Sequence, residues 1–171
     1  MAKENASVLK DAVRLMMLRD VRTLDREVAA YPDDGSLWLT PNGISNSAGN
    51  LALHMVGNLR HFIGAVLANN GYVRDRDAEF SQKNLSRAEI RQEIAAALDE
   101  LESAFSEITP TQLDSPYPLL IRDRRISTAD FLIHLAVHLG YHLGQVNYHR
   151  RLLTSKPESV DGMSVLDLPV V

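Results

Sequence analysis

Four long stretches of this chain repeat apolar residues at intervals of three and four, and that periodicity limits the fold more than any other feature. In the first, over about residues 6–30, Leu9, Val13, Met16 or Met17, Val21, Leu24 and Val28 keep the spacing, which marks one face of a helix. Tyr31-Pro-Asp-Asp-Gly35 ends it, because proline and glycine stop helices. A loop follows over residues 36–46, with Trp38 and Pro41-Asn-Gly43. The second stretch begins at a cap among Ser45 to Ser47 and runs through Leu51, Met55, Leu59, Phe62 and Val66. Asn69-Asn-Gly71 stops it, with Gly71 suited to a left-handed cap.

Residues 72–85 read as a charged loop, with Arg74-Asp-Arg-Asp77 expected to be solvated. Ser86-Arg-Ala-Glu89 is a capping box that opens the third stretch, carried by Ile90, Ile94, Leu98, Leu101 and Phe105. Three prolines occupy the connection from Thr109 to Arg125, which has room for a short hairpin. Ser127 starts the fourth stretch, which ends near Leu153. Pro157, Gly162 and Pro169 make the segment from Thr154 to Val171 an expected extended arm. The fold class that follows is all-α: a four-helix bundle with long loops and an extended C-terminal tail. We expect one domain over residues 1–171, with a core at about 6–154 and a tail at 155–171. The loops are long enough for crossover connections.

The formal charge of −4 disfavours nucleic acid and anionic membranes as partners. No apolar run reaches membrane-spanning length. The N-terminus lacks the basic start and apolar block of a secretory signal, so cytoplasm is the expected location. With no cysteine, disulfides, thiolate ligands and a cysteine nucleophile are excluded.

Four of the six histidines fall between His134 and His149. With His134 at zero on a helical wheel, His138 falls near ~40°, His142 near ~80°, Gln145 near ~20° and Tyr141 near ~−20°. The flanks, Leu135, Leu139, Val146 and Val137, are apolar rather than charged, so the imidazoles are expected to point into the bundle. Polar rings inside a bundle need partners, and one metal ion satisfies several. His138 and His142 have the i, i+4 spacing that lets two rings reach one ion, as do His134 and His138. The second stretch offers His54, Asn58 and His61 on one face. Two histidines from one helix and one from the other would leave coordination positions open, as in catalytic sites.

The motifs Leu53-His54-Met-Val-Gly-Asn58 and His138-Leu-Gly-Tyr-His142-Leu-Gly-Gln145 resemble those of the DinB-like, or YfiT-like, family of metal-dependent enzymes. The long first helix, the Trp38 loop and Arg76-Asp-Ala-Glu-Phe80 are similar to that family's layout, so the likeness spans about residues 6–154. The resemblance implies a four-helix bundle and a divalent metal held by His54, His138 and His142. Zinc and nickel lead as candidates, followed by iron and manganese. It also implies a small-molecule substrate, with a low-molecular-weight thiol such as mycothiol or bacillithiol as cosubstrate of a transferase or isomerase. Family members are often homodimers, and we expect the same here.

Asn58, His61, His134, Tyr141 and Gln145 are expected to surround the ligands as pocket or supporting residues. His149, Arg150 and Arg151 are read as positive groups at a helix C-terminus. Ala136, Gly140, Gly144 and Asn147 form a stripe of small residues suited to a close contact, internal or between subunits. Glu79 lies within reach of a site, but no carboxylate follows Asp130 in the last helix, so no catalytic base is assigned. A metal-dependent hydrolase and a non-catalytic metal or small-ligand binder are the alternatives.

Overall fold

The computed structural model describes residues 2–155, 157–162, 164 and 165. Six α-helices form, with no β-strand among the described residues. Four are long or central: α1 (Ala2–Ala29), α2 (Ala48–Leu59), α4 (Arg87–Glu107) and α6 (Thr128–Thr154). Two are short: α3 (Arg76–Ser81) and α5 (Pro110–Leu113). The long helices start where capping chemistry dictates. Ser47 accepts from the Asn50 amide, Ser86 and Glu89 close a reciprocal capping box, and Ser127 accepts from the Asp130 amide.

Helices α1 and α2 each pack against both α4 and α6. Consecutive helices α1 and α2 therefore stand diagonally across the bundle, as do α4 and α6. The connections at residues 30–47 and 108–127 cross it, which explains their length. In the second of these, the amide of Tyr117 bonds the carbonyl of Ile126, and Ile121 pairs with Arg124 around a tight turn. The expected hairpin is present as isolated bridges rather than strands. The core is one cluster that draws on every long helix, with Met17, Leu24, Leu37, Ile63, Ile90, Ile94 and Val146 fully buried.

Two expectations about the end of α6 are overturned. His149 and Arg150 are buried rather than solvated at a helix terminus. His149 lies 2.7 Å from the Tyr31 hydroxyl and 2.9 Å from the Leu39 carbonyl. Burial lowers its pKa, against the Leu39 bond that raises it, so the ring is a neutral linker rather than a cation on the helix dipole. Arg150 forms a buried ion pair with Glu27 of α1, and Asn147 bonds the other oxygen of that carboxylate. The small-residue stripe turns inward at Gly140 and Asn147, against Asp20 and Glu27 of α1. The described residues of the extended tail lie against α1 and α6: Arg26 bonds the carbonyls of Val160 and Asp161, and Arg150 that of Glu158.

A candidate metal centre between α2 and α6

His54 projects from α2, and His138 and His142 project from α6. The Nε2 atoms of His54 and His138 are 3.4 Å apart, and those of His138 and His142 are 3.1 Å apart. One donor nitrogen from each ring lies within 4.8 Å of both others. Nitrogens about 2.0–2.1 Å from one ion stand about 3 Å from each other, so these separations suit a shared divalent cation. The three rings meet edge to face, at interplanar angles of 81°, 88° and 88°.

The far sides of the rings decide where their protons sit. His54 Nδ1 is 2.9 Å from Glu79 Oε2. Burial would raise the Glu79 carboxyl, but hydrogen bonds from His54 and Arg74 and the Arg74 charge outweigh it and hold the group below its ordinary value. An ionised carboxylate only accepts, so His54 carries its proton on Nδ1. Arg74 Nη2, 3.4 Å from the same nitrogen, is too distant to reverse that assignment. His142 Nδ1 donates to Gln145 Oε1 at 2.7 Å. Both rings thus turn an Nε2 lone pair toward His138. One divalent cation would accept these lone pairs together with that of His138, so the donor set fits a metal.

Glu79 reads in the sequence only as a candidate base and Arg74 as solvated; the structure makes them the support of His54. The stretch read as a solvated loop contains α3, capped by Asp75, whose side chain accepts from the Ala78 amide. Asn50, buried in α2, donates to the carbonyls of Glu79 and Gln82 and pins α3 in place. Arg74 then grips Glu79 with two bonds, of 2.6 and 2.8 Å. The result is a chain Arg74–Glu79–His54 that orients the ring, a common arrangement behind metal-binding histidines. Gly57 makes room for it, since a Cβ there would collide with the Glu79 carboxylate. Its sequence signal was a capping aspartate followed by an acidic first turn and Phe80.

Other expected positions divide. Gln145 supports His142 as anticipated. Asn58 is buried on the wall of a cavity beside His54 and His138, and its Oδ1 has no hydrogen-bond partner. His61 stands outside the three-histidine group, in the π-helix that continues α2 at Arg60–Ala65. The wider turn rotates the residues after Leu59, and His61 ends half-buried with its ring 4.8 Å from Phe62. His134 is exposed and lies parallel to Phe131 and His138, with centroids 5.9 and 6.2 Å away. Tyr141 is 64% exposed, on the outer side of His142. The inward-pointing face is likewise corrected: His54 is buried, but His138 and His142 are half-buried. The centre sits at the margin of the bundle, open on one side.

A family model described as a protein of unknown function (DUF1572) matches residues 5–163. The chain belongs to the DUF1572 family. That match runs past α6 into the tail. The fold is DinB-like: a crystal structure of a DinB-like protein from Bacillus cereus ATCC 10987, at 2.01 Å resolution, matches with a TM-score of 0.63. The match covers 79% of this DUF1572 chain and 86% of the other, at 17% sequence identity, a likeness of fold alone. No curated protein matches the chain. The three-histidine cluster in this fold is compatible with a divalent metal site. No described helix is long and apolar enough to cross a membrane.

Gly57→Ala should displace Glu79 and weaken zinc binding about 10- to 100-fold, the usual loss when a ligand's supporting partner is removed. Competition with a chromogenic chelator measures this, and an unchanged affinity would show that the Glu79 contact is dispensable. A second expectation concerns the metal-free protein. Burial foremost, and then the neighbouring His142, His54 and His134 and Arg74, push the His138 pKa down to about 4. In the unfolded chain it is about 6.5, so between these values the unfolded state binds the extra proton. This group's contribution to stability is therefore complete above pH about 6.5 and falls as the pH drops toward 4. Urea unfolding of chelator-treated protein should show His138→Ala flattening that decline; equal slopes would reject the assignment.

Proposed function

We propose that this protein is a metal-dependent enzyme that holds one divalent ion on Nε2 of His54, His138 and His142. The observation that carries the reading is the pairing of Nδ1 of His54 with Glu79 and of Nδ1 of His142 with Gln145, which turns their Nε2 atoms toward His138. A bound divalent ion supplies Lewis acidity that keeps a thiol or a water deprotonated near neutral pH. This chain's residues do the remainder. Glu79 and Gln145 fix the two ring orientations, Arg74 keeps Glu79 ionised, and the open side admits the reactants.

Thiol-dependent transfer or isomerisation is favoured over hydrolysis. A hydrolase of this kind needs a free base beside the nucleophile, and Glu79, the buried carboxylate at the centre, is engaged by Arg74 and His54. In a thiol-dependent reaction the nucleophile arrives with the cosubstrate, which suits a chain without cysteine. Zinc and nickel are the first metals to test, since imidazole nitrogen suits both.

Elemental analysis of protein expressed with zinc and nickel supplements should give about one ion per chain, and His138→Ala should bring that close to zero. A parent protein that purifies without metal from such medium would defeat the proposal.

We also propose that two copies pair through α6. Ile133, Val137, Tyr141, Tyr148 and Leu152 are exposed along it and recur at helical spacing, forming an apolar stripe beside the histidines. Such a stripe can meet its own copy about a two-fold axis. Light scattering after size exclusion should give twice the chain mass for the parent and the single-chain mass for Val137→Arg. A monomeric parent at micromolar concentration would reject the pairing.

A further inference from the structure

The groove between α2 and α6 continues past the histidines toward Phe62 and Phe131. It widens there into a cavity of about 360 Å³, within the range of small-ligand sites. Its wall has two characters. Phe62 and Phe131, 5.1 Å apart and edge to face, supply an apolar floor together with Leu120 of the crossing connection. Three arginines, Arg74, Arg76 and Arg122, line it, and no carboxylate does among the described residues. Arg74 is neutralised by Glu79. Arg76 lies over the Phe80 ring, with its guanidinium carbon 5.2 Å from the centroid. Arg122 stands on the Ile121–Arg124 turn in a left-handed conformation, φ 48°. Neither Arg76 nor Arg122 has an ion-pair partner among the described residues.

Asn58, one helical turn after His54, also lines the cavity, with its Oδ1 closed off from solvent.

We infer that this cavity is the substrate subsite of the centre, and that it takes a small organic acid. The carboxylate is read by Arg76 and Arg122, and the apolar body lies on Phe62 and Phe131. The inference rests on the metal-dependent reading for its chemistry. Its recognition does not depend on the ion, because the two guanidiniums supply the charge. Arginine pairs suit carboxylates through their planar forks of donors.

The test uses hydrocinnamate as probe and hydrocinnamamide as its uncharged counterpart, titrated calorimetrically into zinc-loaded and chelator-treated protein. Hydrocinnamate should bind at least ten-fold more tightly than the amide in both forms. Arg76→Gln with Arg122→Gln should erase that preference while leaving zinc content unchanged. Both arginines are exposed, so folding is expected to survive. Arg76→Glu with Arg122→Glu should go further and favour the amide. Equal affinities in the parent, a preference that persists in the glutamine variant, or one that vanishes with chelation would each overturn the subsite; the last two would assign the carboxylate to the ion. Failure of the metal reading would show separately, as absent zinc in a parent that still distinguishes the acid from the amide.

Discussion

The hydrogen bond from His54 Nδ1 to Glu79 is the contact on which the rest of the centre depends. It joins α2 to α3, sets the proton on the outer nitrogen and leaves the inner one free to donate its lone pair. The contact requires several unrelated conditions to hold together. Gly57 must lack a side chain, Asp75 must cap α3, Asn50 must anchor the backbone of that helix, and Arg74 must keep the carboxylate charged despite its burial. A buried carboxylate without such partners would rise in pKa, and the tautomer of His54 would no longer be determined. The short helix between two long ones is therefore the element that converts a pair of neighbouring helices into a directed set of donors.

The bundle and most of its helix starts were legible in the sequence, because apolar period and capping residues are local signals. The i, i+4 relation of His138 and His142 was legible for the same reason, and so was Gln145 three residues further on. The positions that went astray all depended on non-local geometry. The wheel that placed His61 beside His54 assumes a regular helix, and α2 gives way to a π-turn at Arg60–Ala65. A single apolar-polar pattern does not reveal such a turn. Glu79 and His54 are separated by 25 residues, and only the packing of α3 on α2 brings them together. His149 and Arg150 looked like terminal charges, yet Glu27 of α1 and Tyr31 just beyond that helix partner them from the other end of the chain.

The π-turn also borders the cavity beside the histidines, since Phe62 within it lines the cavity wall. Tyr117 donates to the Phe62 carbonyl at 2.7 Å and ties the crossing connection to this turn. The connection then brings Leu120 and Arg122 over the same cavity. An irregularity in one helix and a diagonal crossing in the bundle thus act on one space, on opposite sides of it.

The half-open position of the three imidazoles separates two events that are often linked in small metalloproteins. The apolar cluster that holds the helices together draws nothing from those rings. The proposed ion would therefore meet a core that is already complete without it.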